Sequence, residues 1–142
     1  MIVHVRRGDY FNSPKANAVH GVLSADYFNN YIFEACSKRD FANIVVFSDD
    51  ISWCQNNLRV IRNIEMTFVN PSHNKGPLND LIRMSSGKHF ILSNSSYSWW
   101  AAFLGSDENS LVYMPDQWFR NNFTKSVDLK IDNWEVKSTN IN

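Results

Sequence analysis

Within six positions, His4 to Asp9, the chain sets a histidine, the adjacent arginines Arg6 and Arg7, a glycine and an aspartate. Guanidiniums are planar forks of N–H donors that match phosphate oxygens, so this stretch suits an anion site. An Arg-Arg dipeptide is equally an ordinary surface feature, with Asp9 as its salt-bridge partner. A second group, Ser93-Asn94-Ser95-Ser96, sets hydroxyls and backbone N–H groups ahead of an aromatic run, where a helix N-terminus would favour an anion. Ser and Asn are common helix caps, which alone would account for that turn. Asp49-Asp50 has no third carboxylate or histidine at a metal-binding spacing, so capping is its simpler role. His4, His20, His73 and His89 share no metal spacing, and Cys36 and Cys54 read as reduced core thiols. Gly87-Lys88 fails as a phosphate loop because Ile82 and His89 stand where Gly and Ser or Thr are needed, and no GxGxxG is present.

These groups need elements to carry them. Ile2, Val3 and Val5 predict a buried strand that delivers the arginines at its carboxyl end, with Gly8 permitting a turn. Residues 11–23, with Pro14, Gly21 and no periodicity, read as a loop. Ser24 predicts a helix cap, followed by Tyr27, Phe28, Tyr31, Ile32, Ala35 and Cys36 at helical spacing. Strands follow at 44–47, 65–69, 89–92 and 110–114. Helices are expected from Asp49 or Asp50, from Pro77 to the stop at Gly87, and from Tyr97 to Gly105. Pro115 should end the fifth strand. Beyond it the pattern weakens, although Trp134 to Val136 can dock on the core. Alternation of strand and helix predicts an α/β fold, a Rossmann-like parallel sheet with helices on both faces. The loops after its first four strands, His4 to Asp9, Ser48 to Asp50, Asn70 to Gly76 and Ser93 to Ser96, should then line one edge, and together they suggest a diphosphate site.

Composition limits the rest. At 142 residues, 44% hydrophobic and 20% charged, the chain suits one globular domain. Fourteen basic residues balance fourteen acidic ones, which disfavours broad attraction to nucleic acid or anionic membrane. Aromatics at 14% fit either a packed core or a sugar- or base-stacking cleft. No apolar run approaches a membrane span and the start lacks signal-peptide order, so a cytoplasmic location is expected, with membrane association left to a longer context. Asn94-Ser95-Ser96 and Asn122-Phe123-Thr124 match the glycosylation pattern, which carries no weight without a secretory context.

HVRRGDY at His4–Tyr10, HGVLSADYF at His20–Phe28, VVFSDD at Val45–Asp50 and SNSSYSWWAAFLG at Ser93–Gly105 resemble, in order and interval, the motifs of the α1,2-fucosyltransferases, glycosyltransferase family 11. The resemblance covers residues 1 to about 115. It implies one lobe of a two-lobed GT-B fold, with metal-free, inverting transfer of fucose from GDP-fucose to a galactose-containing glycan. By the same match Arg6 and Arg7 would neutralise the departing β-phosphate, Arg6 foremost, and His4 would approach the nucleotide. Asn94, Ser95 and Ser96 would form the phosphate-holding turn, and Asp80 would accept hydrogen bonds from guanine. Some relatives place a glutamate after HxRR. Residues 11–23 contain no acidic residue, which leaves Asp9 as the nearest carboxylate, either a catalytic base or a partner that orients the arginines.

Family members are longer, with an N-terminal lobe preceding HxRR. Residues 1–137 are thus expected to form a nucleotide-sugar binding domain followed by a frayed tail at 138–142, with the acceptor-positioning lobe missing and little activity in isolation. A non-catalytic nucleotide or nucleotide-sugar binding module is the alternative, and an anion- or RNA-interacting domain a weaker third.

Overall fold

A computed structural model describes residues 1–71, 76–120 and 126–140. Its strands are β1 (Ile2–Val5), β2 (Asn43–Ser48), β3 (Glu65–Val69), β4 (Phe90–Ile91), β5 (Val112–Pro115) and β6 (Glu135–Lys137). They form one sheet in the order β3-β2-β1-β4-β5-β6, with every neighbouring pair parallel. Such a sheet is covered on both sides, which explains why β1 and β5 are buried at every position.

The helices are α1 (Gly8–Asn12), α2 (Pro14–His20), α3 (Ala25–Lys38), α4 (Ile51–Asn57), α5 (Gly76–Ser85) and α6 (Ser96–Gly105), with a short 3-10 turn at Ser126–Leu129. Tyr27, Phe28, Ile32 and Ala35 of α3 and Cys54 of α4 pack with Val3, Val5, Ile44 and Val46 in one apolar cluster. Met84 of α5 and Ala101 and Ala102 of α6 pack with Ile2, Phe47 and Phe90 in the other. Alternation along β1 sends Ile2 to one layer and Val3 to the other. Full burial of a side chain such as Ile32 contributes on the order of 1.5–3 kcal/mol. The expected Rossmann-like α/β arrangement is therefore present, with helices on both faces.

Local chemistry sets the helix starts. Ser24 Oγ accepts from Tyr27 N–H at 3.2 Å, and Asp50 Oδ1 accepts from Trp53 N–H at 3.1 Å, each satisfying an N–H with no intrahelical partner.

Two sequence expectations need correction, and one strand is added. Residues 11–23 are not a plain loop, since α1 and α2 occupy most of them. Ser13 caps α2, with Pro14 at its first position and Gly21 closing it at φ 66°. Neither helix buries a residue, so no apolar period marked them. Pro115 ends the fifth strand, as expected. Asp116 N–H carries the pairing onward to Lys137 O at 2.8 Å, so β6 joins as a sixth strand with Trp134 buried just before it. Gly8 serves close approach, because a Cβ there would lie 2.8 Å from Asp49 Oδ2. At the end of the chain Thr139 N–H donates to Asp116 Oδ1 at 2.8 Å; residues 141 and 142 lie outside the described residues.

Candidate active site

With every strand parallel, the loops leaving β1, β2, β3 and β4 share one edge, and the chain changes direction across the sheet between β1 and β4. Open α/β sheets hold ligands at that crevice. Ser93 fastens its two sides, accepting from Arg6 N–H at 2.9 Å and donating to His4 O at 2.8 Å. Above them lies a cavity of about 780 Å³, within the size range of small-molecule sites. His4, Arg6, Asp9, Asp80, Ser95 and Ser96 line it, together with Tyr10, His20, Phe47, Ser48, Asp49, Val69, Pro71, Gly76, Pro77 and Tyr97. Residues 72–75, including His73 and most of the third expected loop, lie outside the described residues.

The two arginines separate. Arg6 faces the cavity with Asp9 Oδ2 2.8 Å from Nη2 and Asp49 Oδ2 3.2 Å from Nη1. Arg7 is 8% exposed, packs its guanidinium 4.0 Å from the Trp53 ring centroid and 5.0 Å from that of Phe11, and pairs at 3.4 Å with Asp50. Consecutive side chains leaving a strand point to opposite sides, so an adjacent pair does not present one joint fork. Asp9 and Asp49 both hold Arg6, and Asp49 Oδ1 also accepts from Arg7 N–H at 2.8 Å. The sequence placed Asp49 in a loop at the ligand edge and gave its side chain only a capping role. Asp50 takes that role, and Gly8 leaves the space that lets Asp49 reach the arginines.

The serine turn also divides its duties. Ser95 precedes α6 without a side-chain cap hydrogen bond, is 6% exposed and lines the cavity, while Ser96 opens the helix at the cavity wall. Hydroxyls and the positive end of α6 thus face the Arg6 side chain across the crevice. Asn94 does not line the cavity. Its Nδ2 donates to His20 O at 2.8 Å and Trp118 O at 3.3 Å, and its Oδ1 is buried with no partner among the described residues.

His4 is 5% exposed, its ring centroid 5.7 Å from that of Tyr97. Burial pushes its pKa down to about 4, with Asp49 opposing and Arg6 adding to the shift, so the imidazole is neutral at physiological pH. At the β3 side Asp80, 8% exposed, accepts from Arg83 Nη1 at 3.2 Å. Arg83 in turn lies 5.5 Å from the Phe47 ring centroid. Asp80 lines the cavity together with Phe47, Val69 and Pro77, a carboxylate among apolar walls. At the opposite side Tyr10 stacks on His20 with centroids 4.3 Å apart and planes 6° apart. Among the described residues no group of three or more His, Cys, Asp or Glu stands at metal-binding geometry, and no helix is long and apolar enough to cross a membrane.

Residues 1–138 match the family described as Glycosyl transferase family 11. The chain is 39% identical over 132 residues to the O-antigen biosynthesis glycosyltransferase WbnK of Escherichia coli, covering 93% of this chain and 42% of that one. It is 34% identical over 136 residues to an alpha-1,2-colitosyltransferase of Escherichia coli, covering 93% and 45%. A bovine galactoside alpha-(1,2)-fucosyltransferase 2 matches at 29% over 107 residues, covering 75% and 30%. No solved structure matches significantly. The chain therefore spans less than half the length of these curated relatives. With that family match running over nearly all of its length, the chain belongs to glycosyltransferase family 11.

Proposed function

We propose that this chain is the donor-binding lobe of an inverting, metal-independent α1,2-fucosyltransferase that carries fucose from GDP-fucose to a galactose-containing glycan. The observation that carries the reading is Arg6 lining a nucleotide-sized cavity opposite the uncapped Ser95 and Ser96 at the start of α6. In the reaction an acceptor hydroxyl attacks the fucose anomeric carbon as its bond to the β-phosphate oxygen breaks; the electron pair leaves on the GDP phosphate, and the hydroxyl proton is released to solvent. Arg6 and the α6 N-terminus stabilise the charge growing there, an interaction strongest in the transition state. Asp80 accepts from the guanine N1–H and exocyclic amine, with Phe47 and Val69 as walls for the ring. Neutral His4 lines the nucleotide side. Asp9 holds the Arg6 fork in the absence of donor. It is more than half exposed, and such an ion pair contributes only about 0–1 kcal/mol, so a phosphate can displace it. Arg7 supports the strand end from beneath, through Trp53 and Asp50.

Because the chain is shorter than half of the relatives it matches, the acceptor is expected to be positioned by sequence beyond it, as in a two-lobed GT-B enzyme. Positioning supplies roughly 7–11 kcal/mol of barrier reduction, so the 142-residue chain alone should bind donor and transfer little. Calorimetry with GDP, ADP and UDP tests the nucleotide reading: GDP should bind best, and Asp80→Asn should erase the preference for guanine. Equal binding of all three would refute it. Transfer of fucose to lactose by the isolated chain at rates typical of an enzyme would overturn the expected inactivity.

A further inference from the structure

We propose that a second, smaller hollow on the same sheet edge, lined by Gln117, Arg120 and Asn140, is a subsite for the acceptor glycan and holds the sugar next to the one that receives the transfer. The proposal rests on the glycosyl-transfer reading above and adds a place for the acceptor on this lobe. Strands β5 and β6 run parallel to the rest of the sheet and end at Pro115 and Lys137. The chain at 116–120 and 138–140 therefore leaves the same carboxyl edge that carries Arg6 and Ser95. Between those two segments and residues 21–24 lies a cavity of about 200 Å³. That is below the range of a whole small-molecule site and suits one sugar ring. His20 lines both this hollow and the larger cavity, so the two adjoin.

Polar groups that the fold leaves unused surround this hollow. Ser24 Oγ is engaged as the cap of α3, and Thr139 Oγ1 donates to Asp116 Oδ1 at 2.8 Å. The side chains of Gln117, Arg120 and Asn140 line the hollow and have no hydrogen-bond or ion-pair partner among the described residues. They bring a planar fork of N–H donors and two amides that both donate and accept, which is the mixture that sugar hydroxyls pair with. The walls are held in place. Arg120 N–H donates to Val19 O at 2.8 Å, and Asn94 Nδ2 donates to His20 O at 2.8 Å and Trp118 O at 3.3 Å. Gly21 turns at φ 66°, and a Cβ there would lie 2.5 Å from Arg120 Nε, so glycine leaves the guanidinium its seat. The His20 ring, stacked on Tyr10 and tilted against Phe119, is the partition between the two hollows. Arg6 Cζ lies 5.5 Å from the Tyr10 ring centroid, and Tyr10 lies 4.3 Å from His20. A glycan whose terminal sugar meets the donor beside Arg6 thus reaches past the partition with its second unit.

Amide NMR on the 142-residue chain in saturating GDP, titrated with lactose and with galactose, tests this. Lactose should shift the amide signals of Gly21, Val22 and Leu23 and the Arg120 Nε–H. It should bind about fivefold more tightly than galactose, whose single ring leaves the hollow empty. Arg120→Ala should bring that ratio close to one and Gln117→Ala should lower it, both without changing GDP affinity, and circular dichroism checks that each variant folds. Signals at 21–23 that stay still, a wild-type ratio near one, or a ratio that survives Arg120→Ala in a folded protein overturns the acceptor subsite while leaving the nucleotide reading intact. Failure of GDP itself to bind overturns both.

Discussion

Two charge clusters of similar make-up sit in this domain, and only one faces a cavity. Away from the cavity, Lys137 Nζ lies 2.7 Å from Glu34 and 2.8 Å from Glu135, and Lys38 lies 2.8 Å and 3.2 Å from the same two carboxylates. Tyr113 donates to Glu34 at 3.1 Å, and Lys137 sits 4.1 Å from the Tyr113 ring centroid. Cations and anions there close on one another and tie α3 to β6. Burial would raise the Glu34 pKa, yet hydrogen bonds from Lys137, Lys38 and Tyr113 hold it down at about 2. At the switch point Arg6 also meets two carboxylates, but it lines the cavity beside hydroxyls that cap nothing. Ion pairs therefore do not mark a site in this fold. Donors that keep a free direction into a crevice do.

The largest expected difference between the clusters is in acid. The His4 imidazole of an unfolded chain takes a proton below about pH 6.5, whereas the folded one resists until about 4. The unfolded state thus binds more protons in that window, and stability falls as pH falls through it, by up to about 3 kcal/mol. Glu34, depressed to about 2 from 4.5, gives stability that is present above 4.5 and lost toward 2. Urea titrations across pH should show both windows, with His4→Gln flattening the upper one and Glu34→Gln the lower. Next in size, Lys137→Met should cost about 2 kcal/mol of stability, by leaving half-buried carboxylates short of a donor, with no change in GDP affinity by calorimetry. Asp49→Asn should do the reverse. It loosens the Arg6 fork, and GDP should bind about fivefold more weakly, roughly 1 kcal/mol, with stability less affected. Smallest, Asp9→Asn should shift stability by no more than about 0.5 kcal/mol and leave GDP affinity equal or slightly improved, since it removes a competitor for Arg6.

Much of the sheet was legible because its strands are apolar runs that end in turn residues, and caps such as Ser24 and Asp50 stood where helices begin. The two short helices between Gly8 and His20 were not. They bury nothing, so their only marks were Ser13-Pro14 at a start and Gly21 at a stop. The strand at Glu135–Lys137 was hidden for a different reason: it is short, half-buried and polar, and its Lys137 is held by Glu34 of α3, 103 positions earlier. In the site, residue types and spacing pointed to the Arg6-Arg7 pair and the Ser95 turn, while Asp80 and the ranking of Arg6 ahead of Arg7 came only with the family resemblance; spacing alone does not say which of two adjacent arginines turns inward. It was also blind to the reach of Asp49, which depends on the space left by Gly8, and to the Tyr10–His20 stack, which needs the fold of α1 and α2.

The central claim is that Arg6 is the cavity's phosphate-binding cation and Arg7 is not. Titrating GDP into wild type, Arg6→Ala and Arg7→Ala, with folding checked by circular dichroism, measures it most directly. A charge-assisted hydrogen bond to phosphate is worth about 1.5–3 kcal/mol, so Arg6→Ala should weaken GDP by roughly ten- to a hundredfold. Arg7→Ala should chiefly lower stability, through lost packing on Trp53. Unchanged GDP affinity in a folded Arg6→Ala protein would contradict the account.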